Sequence, residues 1–130
     1  MTRPASKHPT ELELEILKIL WAEGPLTVRA VRERLAGFRK LAYTSVMTMM
    51  GIMTEKGQLA RTKDSGSYVY RARIRREATL RRMLGDLVDR AFDGSAGAAA
   101  LHLLDTGDLT PQELEALQTL IRRKAEEERP

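Results

Sequence analysis

The apolar residues change period at Gly57, and that change limits the fold more than any other feature. Before it, three stretches carry apolar residues at helical spacing; after it comes a pair of short strand-like runs. The first stretch opens at Thr10 with Glu13 three residues on, the spacing of a capping box. Leu12, Ile16, Ile19 and Leu20 follow, Leu17 and Trp21 widen the stripe, and Gly24-Pro25 ends it. Leu26-Thr27 reads as a connector or brief strand. Thr27 then caps a second helix, with Val28, Val31 and Leu35 inside and Arg29, Arg32 and Arg34 outside. Gly37 stops it. A basic, aromatic linker, Phe38 to Tyr43, leads to a third helix over about Thr44 to Lys56.

Gln58 to Lys63 reads as a strand, Asp64-Ser65-Gly66-Ser67 as a turn, and Tyr68-Val69-Tyr70-Arg71 as the return strand. Helical spacing resumes from about Arg75 to Phe92, and Asp93-Gly94-Ser95 breaks it. Ala96 to Asp105 reads as a short helix. Thr110, Pro111 and Glu113 signal a last one, striped by Leu114, Leu117, Leu120 and Ile121. The fold class expected is mainly α: a winged helix-turn-helix of three helices plus a β-hairpin wing, followed by a helical dimerisation region. The domain reading is a flexible tail over residues 1–9, a DNA-binding domain over 10–73 and dimerisation helices over 74–127.

Composition removes many function classes. The chain of 130 residues has no cysteine and two histidines, His8 and His102. Disulfides, cysteine-ligated metals, Fe–S clusters and thiol chemistry are therefore excluded. No apolar run approaches the roughly 20 residues of a membrane span. The first ten residues are polar, so the expectation is a cytoplasmic protein without membrane insertion. No nucleophile elbow, P-loop, zinc-protease or dinucleotide motif is present. Neither an enzyme nor a cofactor nor a metal is expected.

Charge is unevenly spread. Residues 1–72 hold 12 Lys/Arg and 7 Asp/Glu, and residues 73–130 hold 10 and 11. A basic N-terminal part suggests a polyanion-binding module. A helix that enters a major groove about 12 Å wide needs short side chains on its outward face. Thr44, Ser45, Thr48 and Gly51 supply them, with Tyr43 beside them. Tyr43, Thr44, Ser45 and Thr48 are the candidate DNA-contacting residues of that helix. Arg29, Arg39, Lys40, Lys56, Arg61 and Lys63 are the candidate phosphate contacts. Met47, Met49, Met50 and Met53 read as core filler, and Trp21 and Phe38 as core anchors. Tyr68 and Tyr70 read as packing the hairpin onto the helices.

The C-terminal helices carry more apolar residues than isolated helices need. Leu80, Leu84, Leu87, Val88 and Phe92 form one stripe, and Leu114, Leu117 and Ile121 another. Under 60 residues cannot make a second independent core, so a homodimer is expected. The alternative is that these helices fold back on their own core.

Several segments are similar, in order and spacing, to the penicillinase-repressor family (BlaI/MecI/CopY). They are Glu11 to Trp21, Gly24 to Val31, Leu41 to Thr48, Glu55-Lys56-Gly57, Tyr68-Val69-Tyr70 and Asp108 to Leu114. The resemblance spans about residues 9–125. It implies a dimeric winged-helix repressor on a palindromic, double-stranded DNA operator, commonly with TACA/TGTA-like half-sites. It also implies relief by a membrane metalloprotease sensor that cuts the dimerisation helices. The family's cut lies between Asn and Phe; here the matching positions are His102 and Leu103. Copper-responsive relatives use a cysteine-rich tail, which this chain lacks. Two other readings remain: a winged-helix regulator released by a small ligand, and a winged-helix protein-interaction adaptor.

Overall fold

The computed structural model describes residues 8–129; most of the expected tail over 1–9 lies outside them. The element order is α1 (Glu11–Glu23), β1 (Leu26–Thr27), α2 (Val28–Leu35), α3 (Tyr43–Glu55), β2 (Leu59–Asp64), β3 (Ser67–Ala72), α4 (Arg76–Ala91), α5 (Ala96–Thr106) and α6 (Pro111–Glu127). This is the winged helix-turn-helix order followed by a helical region.

Local chemistry explains most boundaries. The Thr10 hydroxyl accepts from Glu13 N–H, and the Glu13 carboxylate accepts from Thr10 N–H, closing the capping box of α1. Thr27 caps α2, Ser95 caps α5, and Thr110 with Glu113 closes a second box on α6. At the end of α3, Gln58 N–H reaches Met53 O and Gly57 N–H reaches Thr54 O. That double bond requires a left-handed residue at Gly57, whose φ is 84°. The wing turns on Ser65 and Gly66, both with positive φ. This two-residue loop has the handedness that matches strand twist.

The sheet is antiparallel in the order β1-β3-β2, with Leu26 opposite Tyr70 and Arg61 opposite Tyr70 on the other side. One core joins α1, α2, α3 and the sheet. Ile16, Leu17, Leu35, Val46, Met50, Met53 and Leu59 are buried at its centre. The contacts divide the chain into two compact units, up to Leu84 and from Gly85 onward, with the division inside α4. The second unit buries Ala99 and leaves Leu87, Leu101, Leu103, Leu120 and Ile121 exposed.

Candidate nucleic-acid interface

The inward side of α3 is held by Val46, Met50 and Met53, all buried. Thr44 and Thr48, one turn apart, therefore point outward and are exposed, with Gly51 half-buried beyond them. Ser45 is exposed on the flank. α3 begins at Tyr43, one residue earlier than the residue pattern suggests, and its N-cap Ala42 offers no side-chain acceptor. Its first turn is closed by the backbone alone, with Ser45 N–H donating to Ala42 O at 3.1 Å.

A second wall stands beside this helix. A cleft of about 400 Å³ is lined by Tyr43 and Met47 of α3, Ser67, Tyr68 and Tyr70 of the wing, and Thr27 and Arg29. Tyr70 is buried, as expected. Tyr68 is exposed instead, because it stands at the turn end of β3, short of the core, where the Arg61 guanidinium lies 4.3 Å from its ring centre. A hydrogen bond with Tyr70 raises the Arg61 pKa further above its already high value. Arg61 is thus a fixed positive charge at the wing's helix-facing side.

The remaining basic residues divide. Arg29, Lys40 and Lys63 are exposed, and Arg29 faces Glu33 at 3.8 Å. Arg39 lies over the Phe38 ring at 5.4 Å. Lys56 sits differently. Its Nζ donates to Glu13 Oε2 at 2.8 Å, and Glu13 is only 2% exposed. Burial works against the Glu13 charge, yet the Lys56 ammonium, the Thr10 N–H and the Gln58 amide outweigh it and hold its pKa below 4.5. A buried carboxylate thus neutralises one of the expected phosphate contacts.

Two further expectations are corrected. Phe38 is exposed, because it lies in the α2–α3 linker past Leu35, where residues 36–40 are all exposed and the Arg39 guanidinium covers its ring. Met47 is exposed, because it sits on the cleft side of α3 and not on the side of Met50 and Met53. Arg32, on the charged outer face of α2, also positions the linker. Arg32 Nε donates to Leu41 O at 2.8 Å and ties the linker that launches α3. Arginine is ordinary on an exposed helix face, so spacing carried no signal for this bond.

The candidate dimer residues fall into two groups. Leu84, Leu87, Leu114 and Ile121 are exposed; Leu80, Val88, Phe92 and Leu117 are half-buried. Leu101, Leu103, Leu104 and Leu120 add exposed apolar surface outside the expected set. His102 and Leu103 lie within α5, with the His102 ring 5.9 Å from Phe92 and its carbonyl accepting from Thr106. Among the described residues, no group of three or more acidic, His or Cys side chains is placed to hold a metal, and no helix is long and apolar enough to cross a membrane.

A family model described as penicillinase repressor matches residues 9–123. The transcriptional regulator BlaI of Mycobacterium tuberculosis is 32% identical over 97 residues, covering 73% of this chain and 70% of that protein. The methicillin resistance regulatory protein MecI of Mammaliicoccus sciuri is 19% identical over 112 residues, covering 86% and 91%. Among solved structures, the PcaV transcriptional regulator from Streptomyces coelicolor aligns with a TM-score of 0.46 at 22% identity, covering 93% of this chain and 77% of that one. The family match extends over the capped α1, α3, the wing and the C-terminal helices alike, and the chain belongs to the penicillinase repressor family.

Proposed function

We propose that this BlaI/MecI-type transcriptional repressor binds a palindromic DNA operator as a homodimer and is released by proteolysis in its C-terminal helices. The observation that carries the DNA reading is the outward row of short side chains on α3 beside a basic wing. Thr44, Ser45 and Thr48 meet base edges in the major groove, and Tyr43 meets the backbone. Arg29, Arg39, Lys40, Arg61 and Lys63 position the helix by contacting phosphates. Lys56, paired with Glu13, holds the end of α3 in place.

Residues 10–73 form the DNA-binding part and residues 74–127 the dimerisation part. The exposed leucines of the C-terminal helices support the second assignment, because a stable monomer rarely leaves so many side by side. Two half-sites one helical turn apart, ~34–36 Å, then mirror the two-fold axis. Tethering makes the second half-site contact intramolecular, a gain on the order of 10²–10⁴. A membrane metalloprotease sensor that cuts at His102–Leu103 would remove α6 and that gain, leaving the DNA surface intact. The bond lies inside a helix, so α5 must unwind locally before it is cut.

The test is a mobility-shift and footprinting assay on the DNA upstream of the chain's own gene, with competitor DNA and a salt series. A protected two-fold symmetric site whose affinity falls steeply with salt is the expected result. Absence of binding even at low salt would overturn the reading.

A further inference from the structure

The proposed function leaves one strongly charged surface unused. Residues 71–82 hold six arginines, Arg71, Arg73, Arg75, Arg76, Arg81 and Arg82, and one acid, Glu77. All six arginines are exposed, and Glu77 pairs with Arg76. The backbone beneath them is fixed. Arg73 N–H donates to Gln58 O at 2.9 Å, and the Trp21 indole N–H donates to Ile74 O at 2.9 Å. Ala72 and Ile74 pack against the core, so Arg71, Arg73 and Arg75 alternate outward from a pinned strand end. Thr79, buried, ties the first turn of α4 through a bond to Arg75 O at 2.7 Å.

Local energetics argue against this arrangement as a mere solvated face. Arg75 and Arg76 stand at the N-terminus of α4, where the helix dipole favours anions. No acid stands among Arg71, Arg73 and Arg75, whereas on α1 Glu15 pairs with Lys18. The run also reaches the wing, since Arg71 lines one cleft of about 360 Å³ with Lys63 and Asp64.

We propose that the arginine run over residues 71–82 is a second phosphate-binding surface, gripping the backbone of duplex DNA outside the bases that α3 reads. A row of guanidinium groups on a fixed backbone matches a polyanion of regularly spaced phosphates. The inference rests on the repressor reading, but it adds contacts that need no base sequence. They raise affinity for any duplex and steepen its salt dependence.

The experiment measures binding of the full chain to a random-sequence duplex of about 40 base pairs across a salt series. Each phosphate contact contributes about 0.9 to the slope of log affinity against log salt. R71Q/R73Q and R81Q/R82Q are each expected to lower the slope by about 1–2. R71K/R73K and R81K/R82K keep the charge and are expected to keep the slope, which separates charge from folding. R122Q/R123Q, an equal charge loss on α6, is expected to leave it unchanged. Wild-type slopes in both glutamine pairs would overturn the inference while leaving the repressor reading intact. An equal fall in R122Q/R123Q would overturn it too, since any charge loss would then suffice. A wild-type chain with no salt-dependent binding to DNA would remove both readings together.

Discussion

The unit up to Leu84 and the unit from Gly85 differ in what they bury and in the charge they carry. The first encloses a core of eleven hydrophobic residues drawn from α1, α2, α3 and the sheet. It has 17 Lys/Arg and 8 Asp/Glu, net +9. Among the described residues, the second buries Ala99 and exposes a set of leucines, and it has 5 Lys/Arg and 10 Asp/Glu, net −5. One unit is stable by its own packing and attracts a polyanion. The other has apolar surface without a core and repels one. Under the proposed homodimer, a partner covers those leucines. The proposed binding and assembly surfaces therefore rest on separate residues, and each can be tested alone.

The largest effect is expected from Leu117→Asp in α6. A charge on the proposed interface should leave a monomer in sedimentation and weaken operator binding by about 10²–10⁴. Affinity for random DNA should change far less. A dimeric variant with wild-type operator binding would break the comparison. Next comes Leu17→Ala, which empties a fully buried site in α1. Denaturant unfolding should show a loss of about 2–5 kcal/mol.

Glu13→Ala follows, with an expected loss of about 1–3 kcal/mol from the lost cap and the disrupted Lys56 and Gln58 bonds. The effect should depend on pH. The folded Glu13 pKa is lowered, so its contribution is whole above its ordinary value of 4.5 and fades as pH falls through the lower folded value. The stability gap between wild type and Glu13→Gln should therefore narrow in acid; a gap independent of pH would show that the carboxylate's charge is immaterial. The smallest effect belongs to Leu103→Ala, whose side chain is 61% exposed. Made in the Leu117→Asp chain, it should shift stability by less than about 0.5 kcal/mol. A larger loss would mean that the second unit packs more tightly than its exposure indicates.

The capped helices were legible in sequence because a cap acts within three residues. Thr10, Thr27 and Thr110 each bond the N–H three positions on. The hairpin was legible because Ser65 and Gly66 form its turn between strands of suitable composition. The start of α3 was harder to place, since Ala42 gives no side-chain signal. Part of the candidate site was legible too. Val46, Met50 and Met53 mark the inward side of α3, and that leaves Thr44 and Thr48 outward. Phe38 and Met47 were misplaced, because apolar character says that a residue gains by burial and not that space for it exists.

By itself the sequence determined the order of the elements, the caps, the turn and the outward threonines of α3. All of these depend on neighbours within a turn or two, where periodicity and side-chain reach decide. Only the tertiary structure decided that Lys56 meets Glu13, 43 positions away, and that Trp21 holds Ile74, 53 positions away. It also made Leu26-Thr27 a third strand against Tyr70 and Val69, and it pinned the backbone at Arg73 and Ile74. Such pairings have no period in the chain. They follow from which surfaces the core brings together once it closes.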